Sequence, residues 1–299
     1  MIRVSSTISC SGANTCSIDL SNVQRPVVVF GETGAAGFLR TDSYSYPLVN
    51  ISNADSVTVA NLTFDEGPAD PTCDPVEGSG GNYSFPCAST IAVGLSNLVS
   101  LDRLTLLHAK FHAIQITASR AVSVTNSQIL DTGVFGIWTG ANASQRSTGL
   151  SFDNNLIRDV RSNGMFISFT DSTTVRHTTF DHDHRVALFN NCNGLCPGGE
   201  LDIAANDHLR VESNQFLNAI IDLNNATGQA GGLEIQGDCQ NTFVSNNEFA
   251  HIRGAGAAAD PGVILTNFVI SGNKLYDNGI NFYGFDRTGA QIAGNCFTP

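Results

Sequence analysis

The chain of 299 residues is poor in cations: two Lys and thirteen Arg stand against 27 acidic residues, for a formal charge of −12. No run of Lys or Arg occurs, so the clustered positive charge that phosphate neutralisation needs is missing, and nucleic acid is excluded as an expected partner. Strong helix formers are also scarce, with two Lys, two Met and seven Glu. Gly, Asn, Ser, Thr, Val and Ile abound instead, which predicts strands joined by many turns and very little helix. No stretch approaches the roughly 18 apolar residues of a membrane span, and "MIRVSSTISC" lacks the apolar core of a signal peptide, so the sequence reads as mature or trimmed. A Cys-x-x-Cys spacing that would suggest zinc is also missing.

Cysteines are nonetheless present. Three close pairs, Cys10 with Cys16, Cys73 with Cys87 and Cys192 with Cys196, are joined by Cys239 and Cys296. Disulfides are the expected reading, with nearest-neighbour pairing preferred among about 105 connectivities, and they imply a secreted or periplasmic protein. Sequons at Asn50, Asn61, Asn82, Asn142 and Asn225 fit glycosylation, although an Asn-rich chain also produces them by chance.

The chain is organised by a repeat. One template, an apolar residue, two spacers, a frequent Asn, one spacer and a second apolar residue, recurs nine times: "VANLTF" (59–64), "LDRLTL" (101–106), "VTNSQI" (124–129), "FDNNLI" (152–157), "VRHTTF" (175–180), "VESNQF" (211–216), "VSNNEF" (244–249), "ISGNKL" (270–275) and "IAGNCF" (292–297). The sixth positions predict an internal stack, and Asn155, Asn214, Asn247, Asn273 and Asn295 predict an amide ladder. The intervals imply one domain of stacked coils over 1–299, irregular over 1–50 and regular over 51–299, with loops near 66–90, 191–200 and 225–232.

A second element follows about seven residues after each template: "AIQI" (113–116), "GIWT" (136–139), "GMFI" (164–167) and "ALFN" (187–190), with "GLEI" (232–235) and "GINF" (279–282) as variants. Strand alternation turns Trp138, Phe166, Phe189 and Glu234 outward. Trp138, Phe166 and Phe189 are then expected in one exposed aromatic row. His108, Asp131, Asp159 and His182 form a polar column, and Lys110, Arg161 and His184 a largely cationic one with Arg185 beside it.

The N-x-[IF] turns followed by G-I-x-[IL] strands resemble the right-handed parallel β-helix of the pectate-lyase-like superfamily, over roughly residues 51–299. The resemblance implies an all-β solenoid but names no reaction, because lyases, hydrolases, epimerases and adhesins share that fold. "FDHDHRVAL" is similar to the F-x-x-H-D-K stretch of pectate lyases, with Arg185 matching the substrate-contacting Lys. His-Asp is inverted to Asp-His, however, and the family's R-x-P-x-x-R segment is missing. The N-x-D, D-D, G-H-G and R-x-K set of the related hydrolases is also missing, as is the epimerase D-P-H-D motif.

The expectation is therefore an extracellular polysaccharide lyase acting by β-elimination on a uronate-containing glycan. His182, Asp183, His184 and Arg185 form its catalytic group, and Lys110, Trp138, Arg161, Phe166, Phe189 and Glu234 bind substrate. Asp131 and Asp159, with Asp183, offer a calcium site that would ease repulsion between an acidic protein and an acidic glycan. Two alternatives stay open: a glycoside hydrolase using Asp131, Asp159 and Asp183, and a glycan-binding solenoid or adhesin without turnover.

Overall fold

The computed structural model describes residues 1–10, 17–32, 36–40, 46–67, 73, 76–77, 83–84, 87–140, 146–182, 201–219 and 230–298. The chain is a right-handed parallel β-helix in which three sheets are visited in fixed order. Ile2–Val4 opens sheet 1, Thr7–Cys10 sheet 2 and Ile18–Asp19 sheet 3; the chain then returns to lay Val27–Gly31 beside Ile2–Val4. The three sheets hold 12, 11 and 10 strands. No α-helix occurs among the described residues, and no helix there is long and apolar enough to cross a membrane. The first 50 residues lack the template, yet their strands pair into the same three sheets.

The template is the bend from sheet 1 into sheet 2. Its third residue takes a left-handed backbone, as at Asn61, Asn126, Asn154 and Asn246 with φ between 53° and 57°, a region Asn tolerates because its short amide bonds locally. The sixth residues pair rung on rung from Phe64 to Phe297. All are fully buried up to Leu275, whereas Phe297 on the last rung is 51% exposed. Phe180, Phe216 and Phe249 stack at 5.0 and 4.7 Å, their rings within 6° of parallel.

The amide ladder is equally regular. Asn247 Nδ2 donates to the Val211 carbonyl at 2.9 Å, and its Oδ1 accepts from the Asn214 backbone N–H at 2.8 Å. Asn273 and Asn295 repeat both bonds one and two rungs on. Each buried amide thus satisfies backbone groups that a bend removes from the sheets. Ser96, Ser119 and Ser147 form a second ladder, unforeseen in the sequence, near the bend from sheet 3 into sheet 1.

The long insertions leave at one corner. The chain passes from Thr63–Asp65 in sheet 2 to Ile91–Gly94 in sheet 3, from Thr179–Asp181 to Leu201–Ala204, and from Gln215–Leu217 to Ala230–Ile235. Each of these connections runs from sheet 2 to sheet 3. The first carries the hairpin Val76–Glu77 with Tyr83–Ser84 and the disulfide Cys73–Cys87, one of the expected pairs. Cys239 and Cys296 are free thiols.

Candidate functional site

Register along sheet 3 sets the outward column Gln115, Trp138, Phe166, Asp202, Glu234, Ala258. Trp138 and Phe166 therefore stand on consecutive rungs, as their alternation predicts, and both are half-buried. The third member of the expected row is corrected. The strand beside Met165–Ser168 is Leu201–Ala204, so Asp202 and not Phe189 follows Phe166. Phe189 lies outside the described residues, together with Asp183, His184 and Arg185.

The aromatic row is backed by a second cluster. The His112 ring lies 3.5 Å from Phe111, 4.9 Å from Phe135 and 5.5 Å from Trp138, and Phe135 lies 5.8 Å from Phe166. Cys73, Cys87, Phe111 and Val134 pack as one apolar group with Phe135 against it. The disulfide therefore anchors its insertion beside the row. Burial holds the His112 ring well below the usual histidine range, so it stays neutral.

Lys110 lies in the same corner but not in an open groove. It is 8% exposed and its backbone N–H donates to Glu66 Oε2 at 2.9 Å. Glu66 is 1% exposed, with Arg40 at 3.7 Å. Burial pushes the Glu66 carboxyl up, against the charges of Arg40 and Lys110. Lys110 is thus a buried counter-charge to Glu66. Arg161, two rungs further on, is half-buried, its backbone N–H bonded to the Thr132 carbonyl at 2.9 Å.

The polar column is assembled as expected, but its composition has a backbone cause. His108, Asp131, Asp159 and His182 each adopt φ between 53° and 64° where the chain leaves sheet 2. His and Asp are among the residue types that tolerate this geometry. His108 meets Asp65 at 2.8 Å and Asp131 at 3.9 Å, and exposed His182 lies 4.0 Å from Asp159. Asp131 and Asp159 occupy adjacent rungs without a third ligand gathered about them among the described residues. The grouping of three that does occur there is Asp171, Asp207 and His208, on sheet 1. In that group His208 already contacts both carboxylates, at 3.2 and 3.0 Å.

Glu234 stands two rungs beyond Phe166 in the outward column but is only 1% exposed. Its side chain is hydrogen-bonded to that of half-buried Asp260 on the next rung. Burial raises the Asp260 carboxyl above the usual range, opposed by the bond to Glu234. Glu234 was expected here, and Asp260 was not. A half-buried Asp closing an Ala-rich strand carries no signal of its own in the sequence. On this face Trp138 and Phe166 present half-buried aromatic rings, with the carboxyls of Glu234 and Asp260 further along the sheet.

The right-handed beta helix family model matches residues 112–298. The chain belongs to that family. Similar solved structures include an alginate lyase from Paenibacillus sp. str. FPU-7, at 13% identity and a TM-score of 0.66, covering 94% of this β-helix and 89% of the lyase. A surface adhesin of Streptococcus pneumoniae, PfbA, aligns at 12% identity and a TM-score of 0.55, covering 97% and 84% of the two chains. A mutant of the periplasmic alginate epimerase AlgG aligns at 11% identity and a TM-score of 0.54, covering 98% and 76%. At these identities the likeness is one of fold. No curated protein sequence matches this β-helix.

Proposed function

We propose that the protein is an exported polysaccharide-active enzyme that binds its glycan along the outer face of sheet 3 and cleaves a uronate-containing chain by β-elimination. The observation that carries this reading is the placement of Trp138 and Phe166 on consecutive rungs of that face. Rungs are spaced about 4.8 Å apart, so the two side chains leave the sheet one above the other, backed by His112 and Phe135. Sugar faces stack on such strips because their C–H surfaces prefer aromatic contact to water. Arg161 and Arg185 would neutralise the uronate carboxylate, and His182 or His184 would take the proton beside it. The alginate lyase and the alginate epimerase among the similar folds support a uronate glycan as the substrate class.

The alternative chemistry on the same glycan class is hydrolysis. Product chemistry separates the two. Elimination from alginate or polygalacturonate leaves a conjugated double bond that absorbs in the ultraviolet, and hydrolysis leaves only new reducing ends. Shortening of the chain with no absorbing product would overturn the lyase reading. Binding with no shortening on any glycan tested would leave a binding protein.

A further inference from the structure

We infer that Gln115 selects the glycan by its carboxylate: the side-chain amide, pinned by Ser89, donates to the uronate lying one rung to the N-terminal side of Trp138. The inference rests on the reading of the outer face of sheet 3 as the glycan site, but not on the choice between elimination, hydrolysis and binding alone.

Exposure gives the site its direction. Beyond Phe166 the outward column closes, with Glu234 1% and Ala258 3% exposed. On the other side of Trp138 it stays open: register sets Gln115, Ala92 and Asn50 on the next three rungs, and all three are half-buried. Thr117, Gly94 and Ser52 hold the second outward position on those rungs and are half-buried as well. Ala92 and Gly94 are small, so no side chain of that strand rises over the face. Rungs are about 4.8 Å apart, close to the advance of a glycan chain per pyranose residue. A sugar stacked on Trp138 therefore places its neighbour over Gln115, and the chain runs on toward the first rungs of the solenoid.

The amide is held in one orientation. Ser89 is 2% exposed, and its Oγ donates to Gln115 Oε1 at 2.9 Å. Ser89 stands between Cys87 of the disulfide and the strand Ile91–Gly94, so both ends of its short segment are fixed. With Oε1 engaged, the two N–H groups of Nε2 remain. Among the described residues nothing accepts from that Nε2, nor from the indole N–H of Trp138.

The polar groups on this face name the ligand. Gln115 Nε2 and Trp138 Nε1 only donate, and no carboxylate stands in the column between Asp19 and Phe166. A sugar hydroxyl has a proton of its own to place, whereas a carboxylate only accepts. Donors without acceptors therefore fit an ionised carboxylate, and the bond to it is charge-assisted. Asp19, bonded to Asn50 and Ser21, lies three rungs or about 14 Å from Gln115. That is beyond the screening length of about 8 Å at physiological salt, so it does not repel a uronate held there.

The test measures binding of alginate and polygalacturonate oligosaccharides, each as the free acid and as the methyl ester. Calorimetry is run on the full chain as wild type, Gln115→Leu, Gln115→Glu, Ser89→Ala and Trp138→Ala. Wild type should prefer the acid. Gln115→Leu keeps bulk and loses the donors, so it should weaken the acid about 10–100-fold and leave the ester little changed. Gln115→Glu should weaken the acid at least as much, and Ser89→Ala by a smaller factor. Where wild type turns the glycan over, Gln115→Leu should raise KM with kcat little changed, as expected for binding shared by ground and transition states. Thermal melts check folding; if Ser89→Ala does not fold, the two Gln115 variants decide the matter. No preference for the acid in wild type, or equal effects of Gln115→Leu on acid and ester, overturns the selector alone, provided that Trp138→Ala still weakens binding. Wild type that binds neither glycan, or Trp138→Ala that binds as wild type does, overturns the reading of the face and the selector with it.

Discussion

Replacing Asn247 by Ala tests how the solenoid holds its bends. The Asn247 side chain is 1% exposed and makes four hydrogen bonds: from the Asn214 N–H at 2.8 Å, from Asn214 Nδ2 at 3.0 Å, to the Val211 carbonyl at 2.9 Å and to Asn273 Oδ1 at 3.0 Å. Alanine removes all four. The Asn214 N–H is left buried without its acceptor, at a cost of about 1–3 kcal/mol, and the other lost bonds add about 1 kcal/mol more, giving about 2–4 kcal/mol in total. Asn295 occupies the equivalent place on the last rung but is half-buried, so water can replace its amide. Asn295→Ala should therefore cost under about 1 kcal/mol. Urea unfolding followed by circular dichroism, with the slope checked for constancy, measures both. Equal losses in the two variants would refute the reasoning, since they would show that buried amides satisfy no more than exposed ones.

Other outcomes follow from the corner beside sheet 3. Neutral, buried His112 cannot take a proton that the unfolded chain accepts, so stability should fall as pH drops below 6.5, by up to about 1.4 kcal/mol per unit. Urea midpoints at pH 7.5 and 5.5 check this, and His112→Phe should reduce the difference; an unchanged difference would count against it. Cys73 and Cys87 are 14 residues apart, so their bond restricts the unfolded chain by about 3 kcal/mol. Replacing both by Ser should lower the melting temperature and raise protease cleavage within 66–90, and identical melting and cleavage would show the bond to be idle. Trp138→Ala should weaken glycan binding about tenfold, read by calorimetry, with the melting temperature little changed. Undiminished affinity would remove the ring from the site.

The fold was legible because its cause is local and periodic. A left-handed third residue, an Asn at the fourth and a buried apolar sixth recur wherever sheet 1 bends into sheet 2, and each leaves its mark within six residues. The candidate site was legible only where the chain between template and sheet 3 is short, as at Ile114, Ile137 and Met165. Counting forward from the template failed at "ALFN", because the variable segment lies between sheet 2 and sheet 3. Counting backward from the next template places the right strand there: ten residues separate Ile114 from Val124, Met165 from Val175 and Leu201 from Val211, although 15 separate Ile137 from Phe152. That interval crosses the compact bend into sheet 1. The burial of Lys110 was not legible, because one-dimensional alternation cannot show Glu66 and Arg40 gathering beside it. The His182 column carries a backbone signal as well as any chemical one, since left-handed turns favour His and Asp.

Trp138 is the sole tryptophan of the chain, so tryptophan emission reports on the outer face of sheet 3 alone. Titrating the protein with oligosaccharides of the glycan it degrades should change that emission in a saturable way, with the same midpoint as calorimetric binding. Calorimetric binding or turnover that leaves the Trp138 emission untouched would place the glycan elsewhere and contradict the account.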